Sequence, residues 1–81
     1  MRAVVKVRLK TGVLDPQGKA IENALASLGF GGVQSVRQGK LIEIDLDESD
    51  ADAARRSAGE MAEKLLANTV IESYSVEIVE G

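Results

Sequence analysis

Three stretches of this chain and one scattered set of serines carry side chains that can hold or move charge. The first is Lys10-Thr11-Gly12-Val13-Leu14-Asp15-Pro16-Gln17-Gly18, a glycine-bearing loop feeding a helix start, where free N–H groups can hold an anion. It lacks the glycine spacing and Lys-Ser/Thr ending of a phosphate-binding P-loop, and Asp15 repels phosphate. A turn followed by a helix cap therefore accounts for it better. The second is Arg37-Gln38-Gly39-Lys40, two cations about a tight turn that can clasp a carboxylate or phosphate. A solvated turn is the plainer reading. The third is the acidic run Asp45, Asp47, Glu48, Asp50 and Asp52. It lacks the glycine and terminal glutamate of a calcium loop, and strand alternation sends Asp45 and Asp47 to solvent. Serines 27, 35, 49, 57, 73 and 75 are the fourth group, and no histidine exists to activate them; a Ser-Lys pair is the one serine mechanism left open.

The absence of cysteine and histidine removes thiol nucleophiles, imidazole bases, disulfides and nearly every transition-metal site. Thirteen acids against ten bases give a net charge of −3, and the aromatics are Phe30 and Tyr74 alone. Nucleic-acid binding fits neither the charge nor the lack of stacking platforms. No apolar run approaches the roughly 20 residues of a membrane span, and Met1 leads straight into a strand pattern, so a cytoplasmic protein is expected. Eighty-one residues make one domain, 1–81, with a thin core, for which oligomerisation is a common remedy.

The elements that position these residues are set by periodicity. Residues 3–10 alternate, with Val5, Val7 and Leu9 on one face and Lys6, Arg8 and Lys10 on the other. Asp15-Pro16 opens a helix as cap and first residue. Ala20, Ile21, Ala24, Leu25 and Leu28 form its apolar stripe, and Gly29 ends it with Phe30 folding back. Val33–Gln38 reads as a short second strand and Leu41–Leu46 as a third, joined by a reversal in which Gly39 takes positive φ. A second helix starts at Ser49, whose spacing to Asp52 is a weak capping box. Ala54, Ala58, Met61 and Leu65 form its buried row, and Asn68 is its left-handed stop. The last strand covers 71–79, with Tyr74, Val76 and Ile78 inward, and lies at a sheet edge open to pairing. The order β-α-β-β-α-β predicts an α+β, ferredoxin-like fold: a four-stranded antiparallel sheet with two helices on one face.

Three segments carry a family resemblance. KTGVLDPQG (10–18), VRQGK (36–40) and LLANTVIESY (65–74) resemble the PurS family, the small subunit of phosphoribosylformylglycinamidine synthase, and the first is the most specific. The likeness spans nearly the whole chain. Thr69 stands where the family pattern has proline and Ser73 where it has an acid. The resemblance implies a non-catalytic subunit of a glutamine-dependent, ATP-using C–N ligase complex in purine biosynthesis. The implied partners are the synthetase subunit PurL and the glutaminase subunit PurQ, which it bridges in support of ammonia transfer. It also implies a homodimer or dimer of dimers. ATP and Mg²⁺ belong to the complex, with no catalytic residue, cofactor or metal on this chain. The candidate partner interface is Gly12, Asp15, Pro16, Gly18, Arg37, Gly39, Lys40 and Asn68. A regulatory ACT-like module that binds a small molecule is the alternative, and an unrelated structural homodimer a third reading.

Overall fold

Alternation at the start of the chain produces the strand on which the molecule is built. In the computed structural model, which describes residues 1–80, β1 (Arg2–Leu9) is the central strand of an antiparallel sheet. It lies between β2 (Gly39–Asp45) and β3 (Glu72–Val79), in the order β2-β1-β3. The register sets Val5 opposite both Ile42 and Val76, and Ala3 opposite both Ile44 and Ile78. One face thus gathers every inward apolar residue. Ala3, Val5 and Val7 are buried on it, flanked by half-buried Ile42, Ile44, Tyr74, Val76 and Ile78. Full burial of a valine is worth about 1.5–3 kcal/mol.

The core is closed by α2 (Ala51–Met61), which packs on β1 and β3. Its cap is Asp50, one residue later than the Ser49 expected, because the Asp50 carboxylate accepts the Asp52 N–H at 3.2 Å. Ser49 and Asp50 themselves donate backbone N–H groups to Glu48 Oε1. A π-helical turn, Ala62–Leu66, prolongs the helix, with the Ala67 N–H reaching the Ala62 carbonyl at 2.9 Å. That wider turn adds one residue and rotates the phase of the residues beyond Met61. The buried row therefore runs Ala54, Ala58, Ala62, with Leu66 half-buried, while Leu65 is 83% exposed rather than inward.

The sequence predicts four strands and two helices on the sheet; the structure has three strands and one packed helix. Val33–Gln38 is irregular, because its end is tied elsewhere. The Gln38 N–H donates to Asp15 Oδ2 at 2.7 Å, and the Arg37 guanidinium bonds two loop carbonyls. The remaining helix, α1 (Pro16–Ser27), has no packed interface with the sheet or with α2. Its C-terminus forms as expected, with Gly29 at φ +96°, the Gly29 N–H on the Ala26 carbonyl and the Phe30 N–H on the Leu25 carbonyl. Most of the stripe is exposed, Ile21 at 41% and Leu28 at 73%, with Leu25 half-buried; Phe30 beyond the helix end is 58% exposed. The Cα radius of gyration, 15.9 Å, exceeds the about 12 Å usual for a compact chain of this length.

Candidate functional site

Asp15 organises the end of the sheet where the sequence-predicted residues collect. It is a buried carboxylate whose Oδ1 accepts the Gly18 N–H at 2.9 Å, capping α1, and whose Oδ2 accepts the Gln38 N–H. Those two backbone bonds, Gln38 first, hold its pKa below the ordinary carboxylate value against the effect of burial, and the nearby Arg37 charge adds to them. One acid thus fastens the helix start to the strand entry. Pro16 supplies the pre-set first helical residue.

Two glycines are explained by close approach. A Cβ on Gly18 would stand 2.5 Å from the Val36 carbonyl oxygen and 2.6 Å from Asp15 Oδ2. One on Gly39 would stand 2.6 Å from the Val7 carbonyl oxygen. Gly39 is therefore the first residue of β2 pressed against β1, not a positive-φ turn residue; the positive-φ glycines are Gly12 and Gly29.

Arg37 is not a cation at a hairpin tip. Its Nη1 donates to the Val13 carbonyl at 3.0 Å and its Nη2 to the Lys10 carbonyl at 3.2 Å, so the planar fork clamps the loop that contains Gly12. Lys10 in turn donates from Nζ to the Thr69 carbonyl at 2.7 Å and from its backbone N–H to the Ile71 carbonyl at 2.8 Å. Asn68 is not a left-handed helix stop, since no non-glycine residue among those described has positive φ. It makes a side-chain turn instead, with Oδ1 accepting the Val70 N–H at 3.2 Å and its carbonyl accepting from Ile71 and Glu72.

The structure brings all eight predicted residues to this end of the sheet. It also adds four that the predicted interface omits: Lys10, Gln38 and Thr69, which lie within or beside the stretches singled out above, and Glu72, which sequence reasoning missed. Glu72 joins two of the predicted residues, accepting the Asn68 N–H at 2.7 Å and lying 3.8 Å from Lys40 Nζ. Only its place inside the segment 65–74 hinted at a role. Because the acceptors of Asp15 and the Arg37 fork are used within the chain, the cluster presents a fixed contour. Leu14 projects from it, 79% exposed. On the outer side of this end lies an open depression of about 490 Å³, bordered by Lys6, Arg8, Arg37, Lys40, Ser73 and Ser75. No three His, Cys, Asp or Glu residues converge as a metal site among the described residues, and no helix is long and apolar enough to cross a membrane.

Comparison with known proteins agrees over almost the whole chain. The family model PurS, described as phosphoribosylformylglycinamidine (FGAM) synthase, matches residues 2–80. The phosphoribosylformylglycinamidine synthase subunit PurS of Bacillus subtilis is 51% identical over 76 residues, covering 94% of this chain and 89% of the relative. The solved structure of B. subtilis PurS superposes with a TM-score of 0.83 at 48% identity, covering 98% of both chains. A chain in the structure of PurLQS from Thermotoga maritima gives a TM-score of 0.87 at 28% identity, over 96% of this chain and 95% of that one.

Proposed function

This chain belongs to the PurS family, a subunit of FGAM synthase in purine biosynthesis, and we propose that it works by joining that enzyme's synthetase and glutaminase subunits, PurL and PurQ. The match over residues 2–80 carries the reading, and the likeness to a chain of PurLQS supports a role inside a complex. The loop cluster around Asp15 and Arg37 is the docking contour, with Gly12, Pro16, Gly18, Gly39, Lys40 and Asn68 shaping it and Leu14 exposed to a partner. The chain acts in the cytoplasm and holds neither ATP nor Mg²⁺; those stay with the synthetase, and this subunit favours ammonia transfer by keeping the two enzymes together.

Within the complex the chain is at least a homodimer. Helix α1 leaves Ile21 and Leu28 of its stripe exposed, with Leu25 half-buried, and among the described residues no helix packs closely over the β2 half of the sheet's inner face. A second copy supplies both deficits at once if α1 of each chain covers the sheet of the other. The outer edge of β3 is also open to strand pairing.

Reconstitution tests the role. Mixed with its cognate synthetase and glutaminase, the protein should raise glutamine-dependent amidine formation sharply while showing no glutaminase, ATPase or ligase activity alone. Full-rate catalysis by the other two subunits without it would sink the assembly role.

A further inference from the structure

The outer face of the sheet carries one row of cations along β1: Arg2, Lys6 and Arg8. The two ends of the row are neutralised differently. Arg2 lies 3.2 Å from Glu43 and 3.1 Å from Asp45, both on β2. Lys6 meets Glu77 of β3 at 3.7 Å, with both side chains more than half exposed. Arg8 has no acidic partner among the described residues. Its cross-strand neighbours are Gly39 and Ser73; one has no side chain and the other is too short to reach over the guanidinium. The contact a Cβ at Gly39 would make with the Val7 carbonyl keeps that side open. Arg37, nearby, donates to two neutral carbonyls and faces the buried Asp15 carboxylate, so Arg8 is the arginine of this end with no acid beside it among the described residues. Leu41, 58% exposed, lies beside these cations in the wall of the same depression. In a chain of net charge −3, this is a localised positive end with an apolar side chain beside it.

We propose that this end of the outer face is the docking surface for an acidic segment of a partner subunit, held by Arg8 with Lys6 beside it and seated against Leu41. The proposal rests on the assembly role and names the chemistry of the contact. Charge complementarity selects an acidic occupant. The shape selects a protein segment over a small phosphate ester, because the depression is open and no helix N-terminus is free to cradle phosphate: both are capped by carboxylates, Asp15 and Asp50. An exposed, uncompensated arginine also steers encounter, so its first effect is on association rate.

Association kinetics with the cognate synthetase and glutaminase, measured at low and high salt, test this. Wild type, Arg8→Gln, Arg8→Glu and Arg2→Gln are compared, with sedimentation and melting as checks of dimer and fold. Arg8→Glu should slow association on the order of 10-fold at low salt and flatten its salt dependence, Arg8→Gln should fall between, and Arg2→Gln should match wild type. Equal rates for Arg8→Glu and wild type would overturn the proposal, as would equal losses in Arg2→Gln or a change in dimerisation caused by Arg8→Glu. Saturable binding of inorganic phosphate to the free protein, abolished by Arg8→Gln while assembly is untouched, would overturn it in favour of a small-molecule site. Failure of the wild type to join the complex would remove the assembly role itself, and this proposal with it.

Discussion

Helices α1 and α2 are of nearly equal length, 12 and 11 residues, and each carries apolar residues at helical spacing. Their fates differ. The packed row of α2 is alanine, with Ala54 and Ala58 fully buried and Ala62 continuing it in the π turn. The row on α1 has the larger side chains, and Ile21 and Leu28 lie in solvent. Small residues let α2 lie close on the sheet and bury it with little side-chain volume. The bulkier stripe of α1 has more to gain from burial, roughly 1.5–3 kcal/mol per large aliphatic side chain, yet only Leu25 is half-covered by its own chain. Periodicity marks a surface that must be covered; it does not say by which chain.

The largest expected effect separates these two helices. Ile21→Asp combined with Leu28→Asp should weaken self-association by about 100-fold or more, because it sets charges in the apolar contact proposed for a second copy. Sedimentation over a wide concentration range should then show monomer where wild type is dimer. Unchanged dimers would leave the β3 edge as the interface. Next in size is Ala58→Leu, which crowds the contact of α2 with the sheet and should cost about 1–3 kcal/mol. Ala24→Leu on exposed α1 should leave the stability of the separated chain near wild type. If denaturant melts rank the two substitutions equally, the contrast between the helices fails.

The loop end sharpens the comparison, since it anchors α1 by one residue. Asparagine is as good a helix cap as aspartate, but here both carboxylate oxygens accept backbone N–H groups. Asp15→Asn keeps one acceptor and turns an amide donor toward the other N–H, so it should lower the melting temperature as well as remove charge. Because the folded pKa of Asp15 lies below its unfolded value near 3.8, its contribution is complete above that pH. It is lost as pH falls from there through the depressed folded value. Acid titration of stability should therefore be flatter in Asp15→Asn than in wild type. The smallest effect is that of Arg37→Ala, about 1 kcal/mol for two charge-assisted bonds at an exposed site. That exceeds what a free turn cation would contribute, and a melt within error of wild type would show that the clamp on the 10–13 loop carries no stability.

Features that depend on neighbours in sequence are legible in the sequence. The alternation of β1, the Asp15 cap with Pro16 behind it, the Gly29 terminus and the inward set Tyr74, Val76 and Ile78 all appear where the pattern puts them. The misses share a cause, which is competition from other backbone groups. Val33–Gln38 has a strand-like composition, but Asp15 takes the Gln38 N–H and the Arg37 fork ties the segment to a loop more than twenty residues earlier. Steps of three and four point Leu65 inward, and the π-helical turn over Ala62–Leu66 turns it out.

The sequence by itself determined the family, both helices and three of the four strands it predicts, which faces are apolar, and the gathering of unusual residues into three short segments, because these reside in side-chain type and local spacing. Only the tertiary structure decided that the three segments meet at one end of the sheet and that Glu72 joins Asn68 to Lys40. It alone decided that Arg37 is spent on carbonyls while Arg8 has no acidic partner among the described residues. Those outcomes depend on which backbone groups approach across the strand register, a relation between residues tens of positions apart that no local pattern encodes.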